Sequence, residues 1–292
     1  MYLLWAANGL AQSMLWSAVM RIVSTAYTLT ETARKAAMVM SVSVGIGTLL
    51  GVLLPTALAL LGLAEVFTVP GAIILSMGVL VQLLLRSGKR GIPQAAVPLS
   101  PRFDLRIFRD SRLLRMLFPA LAHGAIKENL ILWIPLFFLN VYGLNLADAA
   151  FFIFMMPIAT LLGRFLFPLW YRLCKSSGRT TLLSAFAACI LLLLPLLLAV
   201  ASAWISGLLL SGTAICTSII NAQLVSVFPM DFQAENRVST VAGLLDSISY
   251  IGSALGSLLF GLLISQFGYN GMIAAWALLA GGAVVCLVPR GR

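Results

Sequence analysis

The sequence predicts an all-α polytopic membrane protein with about nine transmembrane helices, and three observations carry that prediction. Of its 292 residues, 61% are hydrophobic and only 10% are charged, where average soluble chains are roughly 25% charged. Nine apolar runs each reach about the 20 residues that a helix needs to cross a bilayer, and mean hydropathy over the chain is +1.04. The basic residues gather on alternate connections between those runs. The four cysteines (Cys174, Cys189, Cys216 and Cys286) stand far apart in sequence without ligand-like spacing. They read as apolar packing residues, and no metal is expected.

In chain order the spans fall at roughly 1–27, 36–62, 66–86, 113–139, 146–171, 179–201, 204–228, 238–266 and 270–289. The first has no basic flank, and Asn8, Gln12 and Ser13 interrupt its apolar part, so it is not shaped like a cleavable signal. Of the 19 basic residues, all but Lys127 and Arg164 lie on or next to the odd-numbered connections and the C-terminal tail. The other connections, near Glu65, Asn140, Ala199 and Gln266, hold none. By the positive-inside rule the basic loops and the C-terminus are cytoplasmic. The net charge of +10 therefore reflects membrane topology, and no nucleic-acid partner is expected.

An internal similarity gives the organisation. Gly45–Pro55 lies over Tyr250–Phe260 at an offset of 205, with six of eleven pairs identical. Each copy follows a loop with Glu and Arg, and each precedes a short connection and one more span. If spans one to three repeat as seven to nine, spans four to six have no counterpart in the chain. Two halves of six spans related along the membrane normal are the layout of major facilitator transporters. The expected architecture is therefore a major-facilitator-type helical bundle lacking its first three spans. It comprises a partial N-terminal bundle (1–86), a basic cytoplasmic linker (87–112) and a complete six-helix C-terminal bundle (113–292).

Particular residues carry a closer resemblance. Asn8, Gly9, Gln12, Met14 and Trp16 through Arg21 resemble the fourth-span motif of the organophosphate:phosphate antiporter family, which includes bacterial glycerol-3-phosphate and hexose-phosphate transporters. Lys127 through Trp133-Ile-Pro135 is similar to the seventh span of that family, and Val241-Ala-Gly243, Tyr250-Ile-Gly252 and Phe267–Gly271 resemble its eleventh span and the turn after it. The resemblance implies that Lys127 occupies a substrate-phosphate position whose first-span partner would precede Met1. Three departures accompany it: Lys127 stands for an arginine, Thr48 for a fifth-span histidine, and Tyr171 for the acid of the gating loop between spans five and six.

The candidate site is built around the charged pair Lys127-Glu128, which interrupts an apolar span near its middle. Charges at that depth face a cavity or a partner. His123 and Lys127 are four apart and share a helix face, whereas Glu128 is turned about 100° away. Lys127 reads as a cargo contact or as an ion pair to a neighbouring helix, and Glu128 as a proton carrier or a structural partner. His123 reads as titrating or as packed and neutral. Asp246, Tyr250 and Thr48 are further candidates for substrate binding, with Asn8, Gln12, Arg21, Trp133 and Pro135 as motif structure. Arg164, two turns before Arg172, reads as snorkelling toward the cytoplasm. The glycines at 45, 47, 51, 243, 252 and 256 read as sites of close helix approach.

No phosphate-cradling loop, Rossmann fingerprint or catalytic triad pattern is present. The expectation is a secondary active transporter, not an enzyme, with no cofactor. It would move a small anionic or polar metabolite by alternating access in a bacterial inner membrane, with a coupling proton or inorganic phosphate and the lipid bilayer as partners. A metabolite sensor with a transporter-like fold and an inactive remnant are the alternatives.

Overall fold

A computed structural model describes residues 15–87, 105–198 and 202–289, and regular structure among them is entirely helical. The helices are α1 (Leu15–Ala26), α2 (Thr30–Leu58), α3 (Leu63–Ser87), α4 (Ser111–Tyr142), α5 (Leu146–Leu173), α6 (Gly178–Leu193), α7 (Ala203–Asn221) and α8 (Val238–Leu287). A 3-10 turn at Leu194–Leu198 extends α6. A π-helix at Ala222–Val227 and a 3-10 turn at Phe228–Phe232 extend α7. Spans two to seven each find a helix near their expected bounds. The first is described only from Leu15, its earlier part lying outside the described residues. The exception is the last two spans, which lie within α8.

That exception has a local cause. A straight helix of 50 residues would run about 75 Å, more than twice the roughly 30 Å of a hydrocarbon core. Within α8 the backbone leaves helical geometry at Gly268 (φ 65°, ψ −169°), a left-handed conformation that glycine adopts without steric penalty. The limbs 238–267 and 269–287 are the two expected spans. Gly62, between α2 and α3, also has positive φ. The sequence similarity between Gly45–Pro55 and Tyr250–Phe260 thus extends to topology, each segment leading through a positive-φ glycine into a further helix.

The chain forms two compact units, one running up to Ile46 and resuming at Asp110, the other Gly47–Arg109. The smaller unit holds the end of α2 and all of α3. The most apolar window of α3 has no buried residue, and Ile74, Leu75 and Met77 are among its exposed side chains. A helix apolar on all sides suits lipid contact. Its hydroxyls bond within the helix, Thr68 to the Ala64 carbonyl and Ser76 to that of Ile73.

In the larger unit α4 and α8 form the central pair. Asp110 caps α4, its side chain accepting from the Arg112 N–H; the hydrogen-bonded Arg112 guanidinium holds its carboxyl below the usual carboxylate range. A Cβ at Gly124 would collide with the Ser249 backbone, and one at Gly252 with the Leu121 carbonyl. The Ser249 hydroxyl donates to the Ala120 carbonyl at 3.0 Å. Backbones in such contact gain dispersion along their length, which drives helix association where no hydrophobic effect operates. Gly47 and Gly51 differ from the expectation, since a Cβ there would meet nothing within 4 Å among the described residues. Cys189 and Cys216 are buried packing residues, their free thiols meeting across α6 and α7.

At the basic end, α1 and the start of α2 are tied to the segment that follows α7. Trp16 Nε1 donates to the Val225 carbonyl at 3.0 Å and Gln233 Nε2 to the Ser24 carbonyl at 2.9 Å. Arg34 pairs with Asp231, while Arg112 pairs with Glu235 and stacks over the Phe232 ring at 4.3 Å. At the opposite end Phe138 stacks on Phe152, centroids 4.2 Å apart, with Trp204 edge-on to Phe152.

The α4–α8 contact yields a contrast of variants. Gly252→Val should abolish a monodisperse folded species in detergent, because the Leu121 backbone cannot step aside. Gly51→Ala should leave elution and thermal stability unchanged. Size-exclusion profiles of the two compare them directly.

Candidate functional site

Lys127 stands halfway along the 32-residue α4. It forms an ion pair with Glu128, the side chains being 23% and 37% exposed. The partner of Lys127 is thus its own neighbour in sequence and not a group on another helix: their long side chains bend toward one another across the 100° between their Cα vectors. Asp246, half-buried on α8, lies within Coulombic reach of both. Tyr250 is one turn further along α8, 62% exposed and within reach of Asp246 and Glu128. These four residues from α4 and α8 form one electrostatic cluster that is open on one side.

Below this cluster on α4 is a fully satisfied polar knot. The Asn129 amide donates to the Ala125 carbonyl at 2.9 Å and to the Ser253 carbonyl at 3.1 Å. Its oxygen accepts from Trp133 Nε1 at 3.2 Å and from the Ser257 hydroxyl at 2.9 Å. Trp133 is therefore held by Asn129 and also packs over Gly261. Pro135, which cannot donate to the carbonyl four residues earlier, is half-buried one turn on.

Toward the basic end is a second network, buried and charged. His123 is 1% exposed and Arg164 3%. Arg164 donates to the Ser41 carbonyl at 3.0 Å and to Asn221 Oδ1 at 2.9 Å. The Asn221 amide nitrogen is 3.1 Å from His123 Nε2. A guanidinium only donates, so the Asn221 oxygen must face Arg164 and its NH2 must donate to His123. Arg164 therefore does not snorkel outward. Its stem lies against α2, where a Cβ on Gly45 would meet the Arg164 Cδ at 2.8 Å, and the slot left by that glycine lets the guanidinium cross between helices.

The remaining sequence candidates lie elsewhere. Thr48 belongs to the smaller unit, half-buried on α2. Arg21 is half-buried on α1, and its carbonyl accepts from Ser24 and Thr25. Asn8 and Gln12 lie outside the described residues. Sequence reasoning missed Asn129 and Asn221, although each is an amide inside an apolar span, the same signal that singled out Lys127 in a weaker form.

Over residues 1–245 the chain matches the Major Facilitator Superfamily. It belongs to that family. No curated protein and no solved structure matches the chain. As a major facilitator it is an all-α, multi-pass membrane protein of a transporter family.

The Asn129 knot is structural. Two of its four bonds cross to α8, and interhelical hydrogen bonds in membranes average about 0.6 kcal/mol, so losing that pair should cost about 1 kcal/mol. Asn129→Leu should lower the thermal midpoint by several degrees in detergent, whereas Trp133→Phe, which removes one bond, should cost less than half of that.

Proposed function

We propose that this major facilitator is a secondary active transporter of a small anionic or polar metabolite, working by alternating access, with Lys127 as a direct cargo contact. The supporting observation is the position of Lys127. An ionised group halfway along a span costs from about 2.5 to more than 10 kcal/mol to insert, yet this one keeps part of its surface open. A cation retained at that depth and left accessible suits a ligand. Glu128 pairs with Lys127 in the structure, and an arriving anion would share or take over that contact with the cation.

Ties at the basic end hold α1 and the start of α2 to the segment after α7, and on this reading cargo approaches from the aromatic end. With the basic end cytoplasmic, this is the orientation of a carrier open to the outside of a bacterial inner membrane. The seventh-span resemblance favours an organophosphate exchanged for inorganic phosphate, with Asp246 and Tyr250 completing the wall.

Proteoliposomes loaded with phosphate and offered labelled glycerol 3-phosphate test this reading. Uptake by the wild-type protein should fall at least ten-fold in Lys127→Ala and be retained in Lys127→Arg. Equal flux in Lys127→Ala and wild type would exclude Lys127 as the contact. Binding without any flux would favour a sensor.

A further inference from the structure

The unassigned feature is Arg164. It is a charge 97% removed from solvent, and no carboxylate among the described residues forms an ion pair with it. Its two bonded nitrogens meet only neutral oxygens, a backbone carbonyl and an amide. A buried charge ordinarily pairs with an opposite one, because neutral acceptors do not replace the hydration that it loses. Arg164 Nε makes no hydrogen bond to the described residues, and neither does His123 Nδ1. The orientation of Asn221 makes His123 Nε2 the acceptor, so a neutral ring carries its proton on Nδ1. Both unsatisfied atoms are then donors. Buried polar atoms are nearly always satisfied, and what satisfies two donors beside a cation is an acceptor-rich group.

The same groups connect to Lys127. His123 is one helical turn from it on α4. The ring lies within Coulombic reach of both Lys127 and Arg164, and Arg164 lies within reach of Glu128. Asn221 joins His123 to Arg164 through one side chain. Two cations and two free N–H donors therefore lie on neighbouring stretches of α4 and α5, linked through Asn221 of α7.

We propose that Arg164 and His123 form, together with Lys127, a single site for an oxyanion group of the cargo, with Arg164 as its second cation. This rests on the reading of Lys127 as a cargo contact and extends it. Lys127 attracts the anion as a point charge, while Arg164 offers a planar fork of donors that selects for phosphate or carboxylate geometry. In the absence of cargo the Ser41 carbonyl and Asn221 hold the fork.

The test measures thermal stabilisation of the detergent-purified full chain by inorganic phosphate, and in parallel by acetate. Four proteins are compared: wild type, Lys127→Ala, Arg164→Gln and Asn221→Asp. The last keeps the size of Asn221 and its bond from Arg164, but places a carboxylate against Arg164. It replaces the N–H given to His123 Nε2 by an oxygen to which the other ring tautomer can donate, so it should fold. The expected result is a saturable shift in wild type, with apparent affinity at least ten-fold weaker in all three variants. Weakening in Lys127→Ala alone, with Asn221→Asp like wild type, would make Arg164 a strut between helices and overturn this inference while leaving the transport reading intact. Weakening in Arg164→Gln and Asn221→Asp but not in Lys127→Ala would overturn the shared site and the role of Lys127 together. A wild-type protein indifferent to both anions would overturn both proposals.

Discussion

Every polar feature of this protein answers to one constraint: a hydrogen-bonding group inside hydrocarbon has no water to fall back on. The three polar clusters on α4 meet that constraint in different ways. Asn129 uses both amide hydrogens and two oxygen lone pairs, and so stitches α4 to α8. Lys127 and Glu128 neutralise each other on one helix, which needs no partner element and leaves the pair open on one side. Arg164 and His123 meet it only in part. The gradient from complete to incomplete satisfaction separates structure from site more sharply than burial does, since each of the three clusters includes residues of α4.

The fold was largely legible in the sequence because a bilayer turns folding into a question of length. Runs of sufficient hydropathy mark where helices must be, and the impossibility of a 75 Å helix in a 30 Å core forces the break at Gly268. Partner choice was not legible. Arg164 read as a snorkelling residue because its distance from Arg172 permits that. Whether it turns inward depends on Gly45, more than a hundred residues earlier, which opens the slot on α2. The proximity of Cys189 and Cys216 was not legible for the same reason, being a property of α6 packing on α7. The Lys127–Glu128 pair failed differently. Helical angles describe Cβ directions, and long side chains can bend back over such an angle to meet.

The larger unit joins helices from both ends of the sequence. Its basic end depends on contacts of α1 and the first turns of α2 with the segment after α7. These are side chains bonding backbone carbonyls and partly exposed ion pairs. Each polar tie is individually weak, but beside them Met20, Val23, Ala33 and Ala37 pack with Met230, Val238 and Ala242 in a buried apolar cluster. That closure therefore rests on packed side chains as well as polar ties, whereas the contact between α4 and α8 is backbone against backbone.

The π-helical stretch Ala222–Val227 takes part in that closure. Its Val225 carbonyl stands four residues before Pro229, which has no N–H to offer it, and accepts from Trp16 on α1. A π-turn accommodates an extra residue by widening the turn. Deleting one residue from the stretch would restore ordinary helical winding and rotate everything beyond it by about 100°, carrying Val225 away from Trp16 and Asp231 away from Arg34. The stretch is therefore intolerant of changes in length far more than of changes in side chain. An inserted or lost codon there would leave every helix intact and still disconnect α1 and α2 from the rest of the unit.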